Sequence, residues 1–458
     1  MAPLPPPVPL RAMIGPSVIL AGLSIGSGEL VLWPRLTAEF GFQVFWAAWI
    51  GVTLQFFLNL EITRWSLATG ESAVTGFVRL SRVFGPTFFL CGTIPWIWPG
   101  WATGAATFVA WQTALPVTPL AVGGLVLCGL VLSVGPVVYR TLELLQLVLV
   151  STIFVFLGAL AWLVVGADDV SALAQGALQV GSVPDGIDLP LFLGALAFAG
   201  AGGTVNLAQS NYVKDKGYGM GRFAGRITSP FTGREEAVSE IGTVFPGSEE
   251  DLARWRVWWR RANAEHFLSF WVLCVGSLAL LCLLAHALLP PGAPVSRDLG
   301  FIADQAAALE ARLGGWARTV FLAAGVAVML STELALLDAV SRVAADLLRA
   351  GPLRGSARWS ASRLYFALVW GLIAFGGLVL PLGWNQPLAL LVTSSALNAG
   401  VMFVYAGLLL VLNLRTFRGP LRPGVLRTAA LAGCVAFYGG FSVLTLWREL
   451  AKLAGGGP

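Results

Sequence analysis

Long apolar runs separated by short polar connections fill this chain almost from end to end. Eleven runs reach or approach the ~20 apolar residues that cross a hydrocarbon core as a helix. They cover 13–36, 43–66, 84–112, 118–138, 142–166, 189–212, 266–289, 316–347, 362–382, 386–413 and 426–448. The strict alternation of a membrane barrel strand is not seen, so the pattern predicts an all-α polytopic membrane protein. Before the first run, "MAPLPPPVPLR" reads as a proline-rich arm over 1–12 and not as a charged leader.

Two runs are interrupted near their middle. In "LAGLSIGSGELVLW", Gly26, Ser27 and Gly28 arrive together and the carboxylate of Glu29 follows. The sixth run, "LFLGALAFAGAGGTVNLAQSNYV", carries Gly200, Ala201, Gly202 and Gly203 midway, then Thr204, Asn206, Gln209 and Ser210. Each glycine costs a helix interior about 1 kcal/mol relative to alanine. Broken helices persist at membrane depth only where the freed backbone is buried in protein or lines a cavity. An acid there costs about 2.5–3.5 kcal/mol on insertion scales and should face the bundle interior. Matched interruptions in two halves of a chain point to a transporter's central site. Gly26, Ser27, Gly28, Glu29, Gly202, Gly203, Thr204 and Asn206 are therefore the candidate substrate-binding residues.

Composition agrees with the pattern. Of 458 residues 57% are hydrophobic and 12% charged, and the mean hydropathy is +0.78, which excludes soluble globular classes. The net charge of +5 is explained by topology and not by nucleic acid. With the N-terminus inside, only Arg35, Arg297, Arg312, Arg318, Arg448 and Lys452 of the 29 basic residues fall outside. That is the cytoplasmic bias of Lys and Arg expected for short loops. It places the chain in the inner (plasma) membrane with the N-terminus cytoplasmic and the C-terminus outside, in contact with membrane lipids. Cys91, Cys128, Cys274, Cys282 and Cys434 all fall within runs and read as apolar packing.

Other polar residues divide into structural and functional candidates. Glu29 can serve as a hard-oxygen ligand or a protonatable coupling group. It can equally cap the second half of its helix. Glu61–Arg64 and Asp338–Arg342 have helix-face spacing and read as ion pairs. Glu333 has no basic residue three or four positions away and is the second candidate for coupling or pathway. Thr393, Ser394, Ser395 and Asn398 read as helix packing. The loop 214–263 is long for a bundle connection. Its "SEEDLARWRVWWRRANAEHF" predicts an interfacial helix leading into the seventh run.

The first two runs resemble the Nramp divalent-metal transporters, a branch of the APC superfamily. Gly15-Pro16, Glu39-Phe40-Gly41-Phe42 and Thr69-Gly70 match that family's scaffold. The resemblance implies a LeuT-type fold: two inverted five-helix repeats over 13–166 and 189–413, with spans one and six unwound, and an eleventh helix at 426–448. The family's metal-binding Asp aligns with Gly26, its Pro with Ser27 and its Asn with Glu29. Its Met-Pro-His aligns with Gly202, Gly203 and Thr204. With thioether and imidazole gone, oxygen donors remain, which suit Mg²⁺ or Mn²⁺, and the resemblance implies Glu29, Ser27 and Thr204 as candidate metal ligands. Span three has no ionisable acid, base or His, so the family's proton route is absent there.

The expected function is secondary transport of a hard divalent cation by alternating access, with no cofactor. A small organic solute such as an amino acid is the alternative cargo, and a non-transporting sensor or scaffold the alternative class. Enzymatic activity is not expected: metalloprotease and nucleophile-elbow motifs are absent, as is a Ser-His arrangement inside the spans.

Overall fold

The structure is a computed structural model that describes residues 1–26, 28–234, 236–239, 241–289, 291–292, 296, 298–383 and 387–453. Ser27 and Arg297 lie outside the described residues, as do the side chains of Thr393, Ser394, Ser395, Arg448 and Lys452. Among the described residues the chain is 76% helical with no strands.

Among the described residues, eight of the expected spans are helical units long and apolar enough to cross a membrane: Pro16–Phe40, Phe45–Thr69, Val117–Val134, Val138–Val164, Glu249–Leu288, Gly315–Ala350, Ala361–Val379 and Gly419–Leu444. The other three are the third, sixth and tenth. The tenth is a helix over Pro387–Thr416. The sixth is split into Leu189–Ala197, a 3-10 segment Gly203–Ala208 and Gln209–Lys216.

The third span departs from the expectation of one helix over 84–112. It is Phe84–Thr93, a tight turn at Ile94–Trp96, and then Gly100–Thr113. Pro95 and Pro99 supply the reason, since neither offers an N–H to the helix ladder and each ring crowds the preceding turn. The seventh span also differs. Glu249–His266 passes through a π-turn at Phe267–Val272 into Leu273–Leu288, so the loop helix and the span are one 40-residue unit. Its start is fixed by a capping box. Ser248 Oγ accepts from Asp251 N at 3.2 Å, and Asp251 Oδ2 accepts from Ser248 N at 3.3 Å.

The tryptophans expected in the headgroup layer are mostly inside protein. Trp255 and Trp258 are buried, and their indole nitrogens donate to Pro420 O and Pro5 O. The proline-rich arm is thereby strapped along this helix. Leu4 N donates to Asp251 Oδ1 at 2.8 Å, and Arg254 and Arg261 donate to the carbonyls of Leu4, Pro7 and Val8.

Burial separates centre from rim. The first span is wholly enclosed by protein and the eighth mostly so, whereas the fourth, fifth and eleventh are largely open at their surfaces. Both expected ion pairs form. Arg64 grips Glu61 at 2.7 and 2.9 Å, and Arg342 Nε donates to Asp338 at 2.7 and 2.9 Å. Arg342 also reaches Asp215 in the last helix of the sixth span, so the pair ties spans six and eight together.

Candidate functional site

The first span ends its opening helix at Ser24 and turns at Ile25–Gly26, where Gly26 N donates to Ser24 O at 2.6 Å. It resumes as a π-turn over Gly28–Leu32 and a helix over Trp33–Phe40. The sixth span opens more widely. Gly200, Gly202 and Gly203 have φ of +100°, +69° and +59°, left-handed conformations that residues with a Cβ enter only with strain.

The two interruptions meet. A Cβ on Gly28 would lie 2.4 Å from the Phe198 carbonyl oxygen, so only glycine lets these two backbones approach so closely. Beside them is a cavity of about 10 Å³ lined by Ser24, Gly28, Trp96, Trp101, Phe198 and Thr332, among others. That is about the volume that admits one water-sized occupant. Trp96 stacks on Phe198 with ring centres 5.7 Å apart, and Trp101 leans on both. Among the described residues, the buried Trp101 indole nitrogen has no hydrogen-bond partner.

Gln55 in the second span holds the sixth-span break open. Its Oε1 accepts from Gly202 N at 3.0 Å and from Asn206 Nδ2 at 3.3 Å, while its Nε2 donates to Ala199 O at 2.7 Å. Tyr405 of span ten donates to Gly203 O at 3.0 Å and lies 3.1 Å from Asn206 Nδ2. Asn398 accepts from Thr204 N at 3.4 Å, and Thr204 Oγ1 accepts from Trp96 Nε1 at 2.9 Å. These groups satisfy backbone that a continuous helix would have satisfied itself.

Of the predicted residues, Gly28 lines the cavity and Gly26 packs against Thr332, whose hydroxyl would be 2.6 Å from a Cβ there. Gly202, Gly203, Thr204 and Asn206 form the neighbouring wall around Gln55, Asn398 and Tyr405. Glu29 is fully buried, and its carboxylate turns toward span seven. It accepts from Ser24 Oγ at 2.8 Å and from Ser277 Oγ. Ser24 thus joins Glu29 to the cavity. Glu333 Oε2 accepts from Ala102 N at 3.2 Å. It sits at the start of Gly100–Thr113, where exposed amides and the helix dipole favour negative charge.

Sequence reading passed over Gln55, Trp96, Trp101, Phe198, Thr332, Asn398 as a contact to the break, and Tyr405. Only the third-span break had a local signal, in Pro95 and Pro99. One exclusion also needs correction. Ser17 Oγ lies 2.7 Å from His266 Nδ1 and donates to Glu265 Oε2 at 2.5 Å. The carboxylate holds the serine and not the imidazole, which is the reverse of a nucleophile triad.

Residues 21–448 match the family model described as natural resistance-associated macrophage protein-like, Nramp. The chain belongs to the Nramp family. Comparison with curated proteins finds no match. Among solved structures it is similar to variants of the Eremococcus coleocola manganese transporter. One pairs at TM-score 0.72 and 16% identity and another at 0.71 and 15%, each over 98% of this chain and 89% of that one. Mhp1, a nucleobase-cation-symport-1 family transporter in a closed conformation with bromovinylhydantoin bound, pairs at TM-score 0.56 and 14% identity over 96% of this chain and 93% of that one. The fold is LeuT-type. In this Nramp chain, the space that a side chain at Gly26 would occupy is taken by the Thr332 hydroxyl. The volume beside Gly203 is taken by the Asn398 amide.

Proposed function

We propose that this Nramp-family protein is a secondary transporter of a hard divalent cation, Mg²⁺ or Mn²⁺, working by alternating access around the breaks in spans one and six. The observation that carries this reading is the contact of two unwound backbones beside a water-sized cavity. Among the described residues no three of His, Cys, Asp and Glu converge on a metal-sized point, so the cargo would rest on oxygen from hydroxyls, amides and carbonyls. Such a donor set suits hard cations. The likeness to a manganese transporter supports the same cargo class.

In this reading Gly26, Gly28 and Thr204 frame the ion with Thr332, and Gly202, Gly203 and Asn206 shape the wall. Glu29 exchanges the hydroxyls of Ser24 and Ser277 for the cation or for a proton as the site opens. Glu333 couples the site to the second half of span three. The two halves, 13–166 and 189–413, move against each other, with the N-terminus cytoplasmic and the C-terminus outside. The aromatic lining from Trp96, Trp101 and Phe198 narrows the cavity to a size that suits a stripped ion better than an amino acid.

Uptake of Mn²⁺ and Mg²⁺ into proteoliposomes tests the proposal. Wild type is expected to take up at least one of them. Glu29→Gln should lower the rate at least about tenfold and Glu333→Gln several-fold less, since a lost cap costs about 1 kcal/mol. No flux of either ion, or full flux in Glu29→Gln, overturns the assignment.

A further inference from the structure

An open cleft lies apart from the two breaks. It encloses about 1090 Å³ between the helix Ala73–Leu80, the first turns of Phe84–Thr93 and the end of Gly315–Ala350 with the chain that follows. Arg79, Arg82, Arg349 and Arg354 line it. Among the described residues no Asp or Glu does. Arg79 pairs with Glu71, yet 58% of its side chain remains exposed. Phe89 and Leu90 supply part of the apolar wall. The same helix and the Val83 that precedes it turn outward, with Val83 67% and Leu90 53% exposed, and the 3-10 turn that follows adds Ile94 at 47%.

Cationic and apolar surfaces therefore adjoin at the end of two membrane spans. Exposed aliphatic side chains on a span meet acyl chains, and arginines at span ends sit at headgroup depth. A guanidinium fork matches the oxygens of a phosphate with paired hydrogen bonds, and basic pockets between spans accept acidic headgroups. A free anion would use the arginines and leave the apolar flank idle. A zwitterionic lipid would use the flank without answering Arg82 and Arg354. We propose that this cleft binds an anionic phospholipid, its phosphate against Arg82 and Arg354 and its chains along Val83 and Leu90. The site is independent of what the protein carries.

The test titrates intact purified protein with phosphatidylglycerol, phosphatidylcholine or inorganic phosphate, read by thermal unfolding and by lipid retention in native mass spectrometry. Phosphatidylglycerol is expected to be retained and to raise the Tm, while the other two leave it unchanged. The double substitution Arg82→Gln with Arg354→Gln should weaken retention about tenfold or more. Charge-keeping Arg82→Lys with Arg354→Lys should retain part of it. Arg82→Gln alone gives the same reading should the double variant not fold. Equal retention of phosphatidylcholine, an equal Tm shift from phosphate alone, or undiminished retention in the Gln variants overturns the proposal.

Discussion

The breaks in spans one and six use the same residue for different physical reasons. Neither Gly26 nor Gly28 adopts a left-handed backbone. What span one needs from glycine is the missing side chain, because Phe198 and Thr332 press into the vacated volume. The helix recovers at once, with Leu30 N donating to Gly26 O at 2.9 Å. In span six, three glycines hold left-handed φ, and no α-helix forms between Ala197 and Gln209. The first break is a matter of approach and the second of conformation. Their supports differ accordingly: two hydroxyls settle Glu29 in span one, whereas Gln55 alone joins four backbone or side-chain groups of span six.

The sharpest way to break this comparison is substitution at the contact itself. In Gly28→Val the new Cβ would lie 2.4 Å from a backbone oxygen, which cannot rotate away. Spans one and six must separate, at about 3 kcal/mol or more, and cation uptake should vanish. Gly26→Ala meets the end of the Thr332 side chain, which can turn, so part of the activity should survive. Gly203→Ala combines left-handed strain of roughly 1–2 kcal/mol with displacement of Asn398, and should fall between the two. Equal uptake by all three variants would remove the distinction between approach and conformation.

A second experiment weighs the supports. Gln55→Leu strands Gly202 N–H, the Ala199 carbonyl and the Asn206 amide in a buried place. At about 1 kcal/mol or more each, the expected loss is about 3 kcal/mol, read as a fall in Tm. Ser277→Ala removes one of two donors to Glu29 and should cost about 1.5 kcal/mol. A larger fall for Ser277→Ala than for Gln55→Leu would mean that the first break, and not the second, is the more dependent on its partner.

Local features of the chain announced the two breaks, because clustered glycine and a buried acid oppose a helix wherever they stand. They did not announce how far each would unwind, since that depends on the signs of φ, which a glycine leaves open. Nor did they reveal Gln55, Thr332, Asn398 and Tyr405. Each of these sits on an ordinary helix of its own, and its meaning arises from the bundle that brings it against a distant break. Pro95 and Pro99 were visible in the third span, but its unbroken apolar run hid them behind the stronger signal of length. Glu29 was legible as a buried acid. Its direction was not, because Ser277 approaches from 248 residues away. Glu61–Arg64 and Asp338–Arg342 were legible in full, as pairs whose two partners share one helix.

A gentler contrast sets the membrane core against the loop 214–263, where support is ionic and partly wet. Arg226 Nη2 donates to Glu236 Oε1 at 2.6 Å, and each side chain is about one-third exposed. The hydrogen-bonded guanidinium holds the Glu236 carboxyl below the usual carboxylate range, against the opposing effect of partial burial. A carboxyl whose folded pKa is depressed stabilises the fold fully above its unfolded value and loses that contribution as pH falls through the folded one. Solvent screening limits the pair to about 0.5 kcal/mol. Limited proteolysis of the loop should therefore be constant from pH 7 down to the ordinary carboxylate range and rise only below it. Glu236→Gln should be cut slightly faster at neutral pH, with that acid-induced rise reduced. An identical pH profile in the variant would show that the backbone turns around Ser229 and Ser239, and not the ion pair, hold this loop in place.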